Sequence, residues 1–212
     1  MNITTEINRE NLKAFLKNSG QNKVGKNARK FIDSCNEVKN FEDVAKLWKY
    51  FKHQFKRDEL DEIPKFERTA EEMIASKIYS GCSDIGTILA TILREKGVPT
   101  VYLQSANIRW IRDLLEDNER KRRVSGHIFL EIYIGGTWVL FDSDNGYLYT
   151  GYDYNNNSLP DGLYAFSKSL NGQELGSNTT KNNNAIMTEL FLNFDLNKYK
   201  DPNYNKIDLR KI

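Results

Sequence analysis

The stretch from Gly81 to Pro99, GCSDIGTILATILREKGVP, constrains the fold more than any other part of the chain. Ile85, Ile88, Leu89, Ile92 and Leu93 recur at i, i+3, i+4, i+7 and i+8, which is the pattern of a helix with a buried stripe. Gly97 supplies a C-cap and Pro99 prevents continuation. Gly81 breaks the chain at the other end, so Cys82 falls at the helix start. Unpaired backbone N–H groups and the positive end of the helix dipole favour a thiolate there. The same N–H groups can donate to an oxyanion formed on a substrate. The competing reading of Cys82 is a small buried hydrophobe, and what lies downstream decides between them.

Downstream is a hairpin. Ile128, Leu130, Ile132 and Ile134 alternate with His127, Phe129, Glu131 and Tyr133, and Gly135-Gly136 is a two-residue turn signal before a return strand over Thr137 to Asp142. That turn pairs Ile134 with Thr137. Counting outward, Phe129 faces Asp142 and His127 faces Asp144. All four share one face, expected to open on a cleft that receives Cys82, while Ile128, Leu130, Ile132, Ile134, Thr137, Val139 and Phe141 form the core face. Asp142 is then the diagonal neighbour of His127, roughly 7–8 Å away, within reach of two polar side chains. Asp144 is directly opposite, and register alone does not exclude it. Asp142 is preferred because Asp144 follows the end of the apolar pattern, in a turn-like SDNG.

The N-terminal third reads as helical. Asn40 caps a helix from Phe41 with apolar positions at Val44, Leu47, Trp48, Phe51 and Phe55. Pro64 ends that region. Thr69 and Glu72 predict a capping box for a helix across Met73, Ile74 and Ile78. Thr100 to Gln104 reads as a strand, and Ile108, Ile111, Leu114 and Leu115 as a surface helix preceding the basic run Arg120–Arg123. Tyr147, Tyr149, Tyr152 and Tyr154 suggest one more strand, with loops near Asn155–Asn157 and Asn182–Asn184. Ala185 to Leu196 fits a strand or a helix equally. The expectation is one domain over 1–212: helices over 1–66, a catalytic core over 67–150, and Asn-rich strands and loops over 151–212.

A formal charge of +2, from 31 basic and 29 acidic residues, predicts no nucleic-acid partner. The basic run follows Asp113, Glu116, Asp117 and Glu119, so it reads as a compensated, solvated helix. No apolar run is long enough for a membrane span. The opening MNITTEINRENLK lacks a leader pattern, and two cysteines make no disulfide framework. A cytoplasmic location is therefore expected. No metal or other cofactor is expected, because two His and two Cys, widely separated, give no zinc spacing. DSDNG at Asp142 to Gly146 lacks the later Glu of a calcium loop. Cys35 is expected to be structural and His53 to be exposed.

Gly81-Cys82, the helix ending in Gly97-Val98-Pro99, His127 opening a strand, and Trp138 followed by Asp142 together resemble the core of the transglutaminase-like superfamily, over residues 69 to 146. The resemblance implies an α+β, papain-like fold in which N-terminal helices and a Cys-bearing helix pack on an antiparallel sheet. It implies Cys82 as nucleophile, His127 as base and Asp142 as its orienter. The family's His-Ala-Trp is His127-Ile128-Phe129 here. The charged segment from Ala106 to Arg123 reads as an insertion able to shape the cleft. Tyr79 is the one nameable candidate for a second oxyanion donor. The implied activity is cysteine-dependent acyl transfer on an amide of a peptide or protein substrate through a thioester. Hydrolysis by a peptidase or amidase is favoured, with transamidation or a silent binding module as alternatives. Peptide N-glycanases of the superfamily carry paired zinc cysteines that are absent here; arylamine N-acetyltransferases use the same triad order and stay open, with a longer chain and an acyl-CoA pocket that fit less well.

Overall fold

A computed structural model describes residues 9–58, 63–116, 124–174 and 176–212. Among the described residues, three α-helices precede the Cys-bearing one. Lys26–Asp33 (α1) buries Ala28, Phe31 and Ile32. Phe41–Gln54 (α2) opens where Asn40 accepts the Asp43 N–H at 3.0 Å, and it buries Val44, Leu47, Trp48 and Phe51. Ala70–Ser76 (α3) opens on the reciprocal capping box of Thr69 and Glu72. Lys77 adopts φ 57°, which ends α3, so Ile78 leaves the helix that its spacing predicted. Ile78–Tyr79 (β2) instead pairs in parallel with Lys56–Arg57 (β1). Cys35 lies in the bend just past α1, rather than inside a helix.

Cys82–Glu95 (α4) ends on Gly97 at φ 78°. The Gly97 N–H bonds Arg94 O and the Val98 N–H bonds Leu93 O, closing a Schellman turn. Every residue from Ser83 to Arg94 is buried. The sequence pattern predicts one buried stripe, but α4 is enclosed on all sides, with the other helices on one flank and the sheet on the other.

The sheet has seven strands in the order β7-β8-β3-β4-β5-β6-β9, and all neighbours are antiparallel. They are Thr100–Asn107 (β3), Gly126–Ile134 (β4), Thr137–Asp142 (β5), Tyr147–Thr150 (β6), Ser158–Leu159 (β7), Leu163–Ser169 (β8) and Asn205–Asp208 (β9). The expected hairpin forms with Ile134 opposite Thr137, its turn made by Gly135 and Gly136 at φ 63° and 82°. Positive φ at both central residues is what glycine permits. The tyrosine strand stops at Thr150; Gly151, at φ 70°, turns the chain, and Tyr152 returns over the same face to pack in one cluster with Tyr149.

On one face Tyr102, Ile128, Leu130, Ile132, Val139 and Phe141 pack with α4 in the main core. The other face is not an open cleft along its length, as the alternation suggests. Leu103, Phe129, Leu140 and Tyr149 are buried there beneath Tyr152, Leu159 and Leu163. Glu131, also on that face, is fully buried and is satisfied by Arg9, Lys168 and Tyr152.

The predicted helix after β3 is Ile108–Leu115 (α5), but its apolar side, Ile108, Trp110, Ile111 and Leu114, is buried. The basic run that it was expected to precede lies outside the described residues. In the C-terminal part, Asn182–Asn184 are not a loop. They fall in Thr180–Phe191 (α6), capped by Thr179, which accepts the Asn182 N–H at 3.0 Å. Three asparagines in a row are poor helix formers, but burial of Met187 and Phe191 against α5 overrides propensity. Among the described residues, no helix is long and apolar enough to cross a membrane.

Candidate active site

Cys82 is the first residue of α4 and is half-buried. The turn before it is braced from within. Asp84 Oδ2 accepts the Ser80 N–H and the Ser80 hydroxyl, each at 2.9 Å, and Arg68 Nη2 at 2.6 Å. Arg68 also donates to Ile78 O at 3.0 Å. The first i→i−4 bond of the helix is Ile85 N–H to Gly81 O at 3.1 Å. The N–H groups of Cys82, Ser83 and Asp84 therefore have no partner within the helix. One turn later, Gly86 lets α4 lie close on the sheet: a Cβ there would stand 2.8 Å from Ile128 Cγ2 and 3.1 Å from the Tyr102 ring. Tyr102 bonds Ser83 O at 3.3 Å, and burial, reinforced by Cys82 nearby, holds its phenol well above the usual range.

His127 is the second residue of β4, where Ser105 of β3 donates its hydroxyl to His127 O at 2.8 Å. Its Nε2 lies 2.8 Å from Asp142 Oδ1. Cys82 lies close enough to the same ring to help raise its pKa, and with Nε2 engaged by Asp142 the ring nitrogen left for a thiol is Nδ1. Phe129 meets the ring edge-on at 4.9 Å between centroids. Asp142 closes β5 and also accepts the Asn145 N–H at 3.1 Å and Asn145 Nδ2 at 2.9 Å. Trp48 of α2 holds the following turn, donating Nε1–H to Ser143 O at 2.8 Å. Gly146, at φ 73°, lies against that indole with no room for a Cβ. Asp144, the rival carboxylate, instead sits 3.7 Å from Lys52 Nζ.

Burial works against the charged imidazolium, but hydrogen bonds and charge from Asp142 and Cys82 outweigh it and raise the His127 pKa well above 6.5. Burial likewise opposes the Asp142 carboxylate, but His127 and Asn145 lower its pKa below 3.8. The pair thus favours imidazolium beside carboxylate.

Cys82 and His127 both line a cleft of about 400 Å³. Gln104 and Ser105 contribute from β3, and Thr180, Asn183 and Met187 of α6 form another part of its wall. The C-terminal third therefore helps to shape the cleft, as does Val124 after the charged segment. Sequence reasoning missed Gln104 and α6. Gln104 shares the α4-facing side of β3 with Tyr102, but nothing in the mixed TVYLQSAN pattern singled it out. Tyr79 is not among the cleft's described lining; its hydroxyl takes Lys52 Nζ at 3.4 Å. Cys35 is buried beside Phe31 O, and burial pushes its thiol up against the smaller opposing effects of Lys96 and Lys77. His53 is exposed on α2.

This architecture, a buried helix carrying a thiol at its N-terminus against an antiparallel sheet that supplies His and Asp, defines a class. The chain belongs to the transglutaminase-like superfamily: the family model matches residues 27–143, more than half of the 212 residues. Its fold is similar to that of a candidate cysteine protease from Cytophaga hutchinsonii, with a TM-score of 0.51 and 17% identity over 81% of this chain. The chain spans about half (50%) of the length of that protein, and at this identity the likeness is one of fold. No curated protein matches the chain.

Proposed function

We propose that this chain is a cysteine-dependent acyl-transfer enzyme acting on an amide of a peptide or protein, with Cys82 as nucleophile, His127 as general acid and base, and Asp142 as orienter. The observation that carries the reading is the 2.8 Å His127–Asp142 contact, with His127 lining the same cleft as the Cys82 thiol at the start of α4. Cys82 sulfur attacks the carbonyl carbon, a C–S bond forms, and the π pair moves to oxygen. His127 gives its Nδ1 proton to the leaving amine as the C–N bond breaks, leaving a thioester. Water then attacks the acyl carbon with His127 as base, the C–S bond breaks, the carboxylic acid leaves, and Cys82 recovers its proton from His127. Resolution by water is favoured over resolution by an amine, so the expected activity is that of a peptidase or amidase. Two free cysteines suit a reducing cytoplasm.

Iodoacetamide labelling tests this. Cys82 is expected to react quickly and with pH dependence, Cys35 slowly, and His127→Ala to abolish the difference. Equal, sluggish labelling of both thiols would favour a silent binding module. Adding a primary amine to a thioester-forming assay separates the two fates of the acyl group: a conjugate instead of free acid would replace hydrolysis with transamidation.

A further inference from the structure

Gln104 lies in β3 opposite Ile128 and next to the His127–Ser105 pair, on the side of the sheet that α4 covers. It is 1% exposed, and neither Nε2 nor Oε1 has a hydrogen-bond partner among the described residues. No other side-chain amide among them has both polar atoms in this state. Each such buried orphan has given up its water without a replacement bond, which destabilises the fold. An apolar residue, like Tyr102 and Ile128 beside it, would avoid that cost, so stability does not explain the amide.

Its position does. Gln104 lines the cleft together with Cys82 and His127. Several other neutral donors there are committed: Ser80 to Asp84, Ser105 to His127 O, and Asn183 Nδ2 to Met187 Sδ at 3.3 Å. The backbone N–H of Cys82 supplies one donor to an oxyanion, and a tetrahedral intermediate is held best by two. We infer that the Gln104 side-chain amide is the second oxyanion donor, reaching across the cleft to the carbonyl oxygen that Cys82 attacks. The inference rests on the acyl-transfer reading above. Among the described residues the amide is spent on neither protein nor solvent, which leaves its Nε2–H for a carbonyl seated in the cleft.

The test compares two reactions of Cys82. Acylation by p-nitrophenyl acetate passes through an oxyanion, whereas alkylation by iodoacetamide does not. Gln104→Leu is expected to slow acylation by about 10²–10³-fold, to leave the alkylation rate unchanged, and to hold or raise the melting temperature, because the buried orphan is gone. Gln104→Glu, which keeps the size but replaces the amide donor, is expected to acylate as slowly. Wild-type acylation in Gln104→Leu, with His127-dependent alkylation intact, overturns this inference and leaves the acyl-transfer reading standing. Loss of alkylation together with a lower melting temperature makes Gln104 structural and also overturns it. Failure of the native chain to alkylate Cys82 in preference to Cys35 sinks the underlying reading instead.

Discussion

At the scale of single residues, the His127–Asp142 contact is expected to act on both reactivity and stability. Replacing Asp142 by Asn keeps the shape but offers the ring a group that no longer favours imidazolium. A fall of about 10²–10⁴-fold in thioester formation is expected, read from single-turnover acylation. The pair also links folding to pH. Because the His127 pKa is raised, its contribution is fully present below 6.5 and fades as pH rises through the raised value. Because the Asp142 pKa is lowered, its contribution is present above 3.8 and fades as pH falls through the lowered value. Urea titrations of the native chain and His127→Ala should therefore differ most between those limits and converge on the alkaline side; a gap that widens with alkali contradicts the assignment. Hairpin register left Asp142 and Asp144 both open beside His127, and only the end of the apolar pattern favoured Asp142, the carboxylate that meets the ring. The Asn145 contacts were not legible, because a turn's side chains answer to no repeat.

At the scale of elements, α4 sets the position of the thiol. Gly86→Ala gains about 1 kcal/mol of helix propensity. Against that, the new methyl meets Ile128 Cγ2 at 2.8 Å and the fully buried Tyr102 ring at 3.1 Å. Overpacking of this kind costs typically about 1–3 kcal/mol, and a branched methyl beside a closed core has little room to yield. A lower melting temperature is expected, with a disproportionate loss of Cys82 labelling as the helix lifts from the sheet. At the other end of the brace, Arg68→Met removes the cation that pairs with Asp84 and ties down Ile78 O. Slower Cys82 alkylation with little change in Cys35 is expected, and mass-spectrometric labelling of both sites reads it. Element type was legible where a period or a cap spoke clearly, as at Asn40, Thr69 and Gly97. It failed at Asn182–Asn184, because composition argued for a loop while the decisive contacts of Met187 and Phe191 lie on α5, far away in sequence.

At the scale of the whole molecule, the sheet is covered on both faces, and a buried ionic cluster anchors the second one. Glu131, 0% exposed, meets Arg9, Lys168 and Tyr152, and Arg9 also lies over the Phe15, Trp138 and Tyr154 rings. Burial draws the Lys168 pKa down, and Glu131 offsets only part of that. Glu131→Ala strands two buried cations, and a loss of about 3–5 kcal/mol is expected, visible as a drop in the urea midpoint. A loss below 1 kcal/mol would mean that the cluster relaxes into solvent. Nothing local marked Glu131 as buried: as one residue in an alternating strand, it reads as the polar side of a half-exposed sheet.

The amino-acid order by itself determined the helix with a thiol at its start, the hairpin and its register, and hence which His and Asp share a face. These follow from periods of 3.6 and 2 and from glycines that permit particular backbone angles, all properties of neighbouring residues. Tertiary structure alone decided that α4 is enclosed on every side, that β8 and β9 join the sheet, that α6 walls the cleft, and that Gln104, lining the same cleft as Cys82, has no side-chain partner among the described residues. Those outcomes depend on which distant surfaces meet and exclude water, and no local pattern carries that.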